Sequence, residues 1–252
     1  MVFDLLSALY LVAFVLSGVA IARVYLSKER PLVRLWLGGV IALLLLIWLP
    51  ALFSLLLGFT LLSQLLALAV AVCFGTLCAI LAKNKPVMKN DWLSECDVLF
   101  TLLPLLVIGI VLLSTHTILP VNGGLSVGQS TYGDLAMHLG FITSIAEQHT
   151  FPPMYSICPD TPVGYPFLSD SISSTFYALG ADLRFATMLP AMYAYALVLL
   201  GVYLFFERYL KDRATTRLAT LLFFLGGGFG FAYCFDLLQQ DPGKLTRFLT
   251  AF

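Results

Sequence analysis

Three side chains in one stretch of the sequence have the types and spacing of a reacting site. Asp134 and His138 are four residues apart inside a segment with helical periodicity, so they share a face one turn apart. Asp170 opens a second helix-like stretch further on. A carboxylate can take a proton from a hydroxyl or ligate a cation, and an imidazole one turn away can orient it or hold a phosphate. At a desolvated membrane surface the Asp134 carboxyl would be a better base. Each residue also has a plain structural reading. Asp134 and Asp170 would cap their helices, and His138 would be a hydrogen-bonded interfacial histidine. Tyr165 and Phe167 read as interfacial anchors whose rings also suit sugar stacking. His149 is expected to face water at a helix end.

Two helical stretches must position these groups. Over residues 134–149, Leu135, Leu139, Ile142 and Ala146 fall on one stripe, with Met137, Phe141 and Ile145 beside it. Phe151-Pro152-Pro153 ends that helix. Pro166 opens a second helix over residues 167–179, which Gly180 closes. Two short amphipathic helices of this kind are expected to lie along the membrane surface. They belong to a segment, residues 118–182, that is rich in Gly, Pro, Ser and Thr and holds neither Lys nor Arg. A loop of that length is functional or disordered, and the helical spacing argues against disorder.

Around this loop the chain is apolar. Of its 252 residues, 60% are hydrophobic and 11% charged, with 14 basic residues against 14 acidic ones. A typical soluble domain has about 25% charged residues. The composition excludes a soluble globular enzyme, a disordered chain and a charge-driven nucleic-acid binder, so no nucleic acid is expected as a partner. The fold class left is all-α, a polytopic transmembrane helical bundle, each span needing roughly 20 residues. Six spans are expected: 2–26, two within 35–82 that turn near Gly58, 98–117, 185–206 and 218–238. Arg23, Lys28, Arg30 and Arg34, then Lys83, Lys85 and Lys89, then Arg208, Lys211, Arg213 and Arg217 fall between alternate spans. The positive-inside rule makes those turns cytoplasmic and puts both termini and the long loop outside. Asp4 near the start and the lack of a basic n-region mark the first run as a retained helix, not a cleaved signal. Gly226-Gly227-Gly228-Phe229-Gly230 lies inside an apolar run, so it reads as close helix contact or a local break, not as a nucleotide loop. The cysteines show no metal spacing and no disulfide framework; Cys73 and Cys78 read as core packing.

Three runs then carry a likeness: Tyr132-Gly133-Asp134-Leu135-Ala136-Met137-His138, Phe151-Pro152-Pro153 and Gly164-Tyr165-Pro166-Phe167-Leu168-Ser169-Asp170. Together they resemble the polytopic bacterial membrane proteins of the GT-C glycosyltransferase class, which includes protein O-mannosyltransferases, oligosaccharyltransferases and lipid A aminoarabinose transferases. The resemblance covers about residues 98–235. On it, residues 98–252 form a GT-C-like module with outer loop 118–183, and residues 1–97 form a three-span N-terminal extension. The resemblance implies a cell-envelope transferase in the bacterial inner (cytoplasmic) membrane. It would move a sugar, with inversion, from a polyprenyl-phosphate donor to an acceptor at the outer face.

By position Asp134 matches the acid of the loop, with His138 as the second catalytic residue. Tyr132, Tyr165, Asp170 and Arg184 are the candidate substrate-binding residues. Arg184, or a divalent cation (Mg or Mn) at Asp134, would stabilise the leaving phosphate. The chain departs from the class in having three spans before the acidic loop and few after it, so it is expected to be an N-terminal fragment. Two other readings stay open. A lipid or solute transporter would need polar groups at mid-membrane, where Gln64 is the clearest one. A non-catalytic membrane scaffold would tolerate Asp134→Ala and His138→Ala.

Overall fold

The computed structural model describes residues 2–86, 92–128, 131–158 and 160–227, with 235, 239–241 and 243. The order of elements is α1 (Val2–Tyr25), α2 (Pro31–Leu57), α3 (Leu61–Ala82), α4 (Trp92–His116), β1 (Ile118–Val121), β2 (Gly124–Val127), α5 (Tyr132–Gln148), α6 (Leu168–Ala178), α7 (Leu183–Leu210) and α8 (Arg213–Leu225). Among the described residues five helices are long and apolar enough to cross a membrane: α1, α2, α3, α4 over Val98–His116, and α7. The protein is an all-α membrane bundle. Of the sixth expected span, α8 covers the beginning; most of the remainder lies outside the described residues.

Local chemistry sets the helix ends. Pro31 sits in the first turn of α2, where its missing N–H costs nothing. Gly58 has φ 72, and a Cβ there would run into the His149 carbonyl, so the α2–α3 turn needs glycine. Thr60 and Ser63 form a reciprocal capping box that starts α3. The turn is pinned from outside: Phe59 N donates to the His149 carbonyl at 3.0 Å, and His149 Nδ1 lies 3.1 Å from the Phe59 carbonyl. His149 is thus exposed at the helix end, as expected, and also clamps this turn. The hairpin of β1 and β2, which the sequence did not announce, turns through Asn122 (φ 50) and Gly123 (φ 80), the left-handed pair that a tight hairpin favours.

The bundle has two ends with different chemistry. At one end Lys85 Nζ donates to the Val24 carbonyl at 2.6 Å. There Arg30, just before α2, joins Glu95 of α4 (Nε to Oε1, 3.3 Å) and Glu207 of α7 (Nη1 to Oε2, 2.6 Å). At the other end Asp182 N donates to Asp4 Oδ1 at 3.0 Å, and the long loop covers the helix termini. The alternation of helix direction expected from the basic clusters is thus present in the packing.

α1 packs against α2 and α3 through small residues. Gly18 faces the Gly38 carbonyl and Ala42. A Cβ on Gly38 would stand 2.7 Å from Val19 Cα, and one on Gly75 would stand 2.7 Å from Ser17 Cα. In lipid, where burial of apolar surface drives nothing, such close approach is what holds helices together. Tyr10, Phe14, Leu46, Phe176 and Ala186 join one core across α1, α2, α6 and α7. Outward side chains such as Leu16, Leu56 and Phe100 are exposed, as lipid-facing residues should be. Cys78 is buried as expected, but Cys73 is exposed and not part of a core.

α6 departs most from expectation. Residues 170–176 are all buried, so the helix is embedded in the bundle end and does not lie on its surface. Ser7 Oγ donates to the Phe176 carbonyl at 3.3 Å, and Thr175 Oγ1 donates to Gln64 Oε1 at 3.0 Å. Ser171 and Ser174 donate their hydroxyls to the Leu168 and Asp170 carbonyls, and the Ser171 carbonyl, also 3.0 Å from Thr175 Oγ1, is the alternative acceptor for that one proton. That internal bonding helps a serine-rich helix to be buried.

Candidate functional site

α5 begins after Thr131, whose side chain makes no capping bond, so Asp134 is not the cap but a first-turn residue. Its carboxylate is exposed and benefits from the positive end of the helix dipole. One turn on, His138 does not reach back to Asp134. Its Nδ1 lies 3.0 and 3.1 Å from the two carboxylate oxygens of Asp170 on α6. Asp170 likewise is no cap: α6 starts at Phe167 without a side-chain capping bond. The desolvation expected at Asp134 falls on Asp170, which is buried. Burial pushes the Asp170 carboxyl above the ordinary aspartate range, and the His138 hydrogen bond and charge pull it part of the way back.

The pair has a fixed orientation. With Nδ1–H donated to Asp170, Nε2 is the ring nitrogen left for a ligand. Tyr165 meets the imidazole edge-on at a centroid distance of 5.6 Å, and Phe141 at 6.3 Å. Phe141 in turn packs on Tyr155 and Tyr165, so an aromatic wall holds the ring from behind. Phe167 stacks edge-on with Phe151 at 5.6 Å, which ties the start of α6 to the loop after α5.

In front of His138 is a cleft of about 580 Å³, within the usual size of ligand sites. Asp134 and His138 share it with Thr131, and its apolar walls are Leu113, Met188 and Ala191 from the membrane helices α4 and α7. The structure therefore brings Asp134 and His138 to one cavity. It places Asp170 and Tyr165 behind the imidazole. The side chain of Tyr132 lies outside the described residues. Arg184 does not line the cleft. Its Nε and Nη2 donate to the Ile118 and Ser114 carbonyls, each at 2.8 Å, closing the end of α4. Thr131, Thr187 and Met188 complete the lining. Sequence spacing missed the last two because α7 enters about 50 residues after α5. Among the described residues no group of three His, Cys, Asp or Glu side chains is placed to hold a metal ion.

No family model, curated protein or solved structure matches this chain.

Proposed function

We propose that the protein is a membrane glycosyltransferase that moves a sugar from a polyprenyl-phosphate donor to an acceptor hydroxyl. We place it in the bacterial cytoplasmic membrane with the 118–182 loop on the outer face. One observation carries this reading: an exposed carboxylate and a carboxylate-held imidazole open onto one cleft that is also lined by apolar side chains of two membrane-spanning helices. A prenyl chain fits against Leu113, Met188 and Ala191, while the phosphate and sugar sit at the level of Asp134 and His138.

In the transfer, Asp134 accepts the proton of the acceptor hydroxyl as its oxygen bonds to the anomeric carbon. The bond from that carbon to the phosphate oxygen breaks, and its electron pair leaves with the lipid phosphate. His138 presents Nε2 to that phosphate while Asp170 holds its Nδ1. This role answers the shortage of Lys and Arg in the loop. Any Mg or Mn ion would have Asp134 as its first ligand from this chain.

The test compares thermal stability of the purified protein in detergent with polyprenyl phosphate and with the bare polyprenol. At about 100 times its dissociation constant, the phosphorylated lipid is expected to add roughly 2.7 kcal/mol. His138→Ala is expected to lose that gain. Equal stabilisation by the alcohol, or none by either in a folded protein, would sink the proposal. In a transfer assay Asp134→Asn is expected to lose on the order of 100-fold or more in rate while keeping its thermal midpoint.

A further inference from the structure

A groove of about 870 Å³ lies at the opposite end from the cleft, between α2 and the turn that joins α7 to α8. The turn is sharp because Lys211 adopts a left-handed conformation, φ 57, and Asp212 caps α8 through the Thr215 amide and hydroxyl. It delivers Arg208, Lys211 and Arg213 to one rim. All three are exposed, and none forms an ion pair among the described residues. Three acids line the groove with them: Glu207 holds Arg30 at 2.6 Å, Asp212 accepts from Thr215 in its cap, and Glu29, on the α2 side away from the turn, is exposed.

The opposite wall is not what a soluble anion needs. Phe205 and Tyr209 of α7 stand beside the cations, Trp36 lies deeper with its Nε1 donating to the Leu197 carbonyl at 2.9 Å, and Leu37 and Leu204 add apolar lining. Tyr209 and Phe205 are 71% and 56% exposed and pack together at 4.7 Å. Exposed aromatic rings at the end of an apolar span mark headgroup depth. Cations above, rings beside and an apolar floor below match a phosphate headgroup with its acyl chains.

We infer that this groove binds an anionic phospholipid, with its phosphate on Arg208, Lys211 and Arg213 and its acyl chains against Leu37 and Leu204. The site is independent of the donor cleft, about a membrane thickness away along the helices. Basic side chains at a membrane surface attract anionic lipid without shape; the groove adds a defined place for one molecule.

The experiment titrates the full chain, in zwitterionic detergent, with phosphatidylglycerol, phosphatidylcholine and inorganic phosphate, and reads bound lipid by native mass spectrometry. The wild type is expected to retain one phosphatidylglycerol in preference to phosphatidylcholine. The variant Arg208→Gln/Lys211→Gln/Arg213→Gln should bind it about tenfold more weakly. A control, Arg23→Gln/Lys28→Gln/Lys83→Gln, removes equal charge from the same end but outside the groove, and should bind like wild type. Equal loss in both variants would mean unspecific surface charge and overturn the site. So would unchanged binding in the groove variant, or full displacement of the lipid by inorganic phosphate at equal concentration. The thermal midpoint of each variant in detergent alone establishes that it is folded.

Discussion

Among the described residues, the ion pairs at the two ends of the bundle differ in kind. At the basic end one guanidinium joins Glu95 and Glu207, so three separate stretches of chain meet at Arg30. Burial opposes the Arg30 charge, but its hydrogen bonds to the Glu207 and Glu95 carboxylates outweigh it and keep the guanidinium firmly protonated. At the loop end Asp170 meets an imidazole, a group whose proton can come and go. Arg30 faces two acids and His138 one, and each also borders a cavity, the groove in one case and the cleft in the other. A permanent cation between two carboxylates fastens helices; a titratable pair beside a cavity can do work on a ligand.

The largest expected effect that would break this contrast is at the fastener. Arg30→Met leaves Glu95, which is 5% exposed, without its partner, and should lower stability by about 3 kcal/mol in thermal unfolding in detergent. A smaller loss than at the loop-end pair would reverse the assignment of roles. Next, Asp170→Asn keeps the shape but removes the charge that holds His138, and should cost about 1–2 kcal/mol. In a donor-binding assay it should weaken affinity for the phosphorylated lipid more than it lowers the midpoint. Loss of stability alone would leave Asp170 a structural residue.

The pH dependence sharpens the same contrast. Because burial raises the Asp170 pKa in the folded protein, the folded state holds that proton more tightly than the unfolded chain. Its contribution is complete below the ordinary aspartate value of about 3.9 and is lost as pH rises through the raised folded value. A stability–pH curve of the wild type should show that decline, and Asp170→Asn should lack it. Arg30→Met should shift the curve without removing the decline. The smallest expected effect is at Tyr165. Tyr165→Phe keeps the ring against His138 and should change stability by less than about 0.5 kcal/mol, whereas Tyr165→Ala should cost about 1 kcal/mol in the same unfolding measurement.

The spans were legible because hydropathy and charge asymmetry are summed over many residues. The turn at Gly58 and the two loop helices were legible for a related reason: glycine, proline and stripe periodicity are local signals. The partner choices were not. Helical spacing offered Asp134 to His138, but the loop folds back and presents Asp170, 32 residues on, at hydrogen-bond distance. Arg184 looked like a free cation because nothing in the sequence shows that the α4 carbonyls of Ser114 and the adjoining Ile118 carbonyl would be aimed at it. α6 looked like a surface helix because serines count as polar, although a serine bonded to its own backbone is readily buried. Gln64 stood out as the clearest polar group of the spans, but nothing local showed that its amide oxygen would lie 3.0 Å from the Thr175 hydroxyl.

That last contact has a topological consequence. Gln64 lies in the first turn of α3, with Ser63 Oγ 3.3 Å from its Nε2, and the Thr175 hydroxyl that reaches its amide oxygen is 111 residues further on. Because α6 carries both Thr175 and Asp170, one short helix ties the early three-helix pack to the His138–Asp170 pair at the loop end.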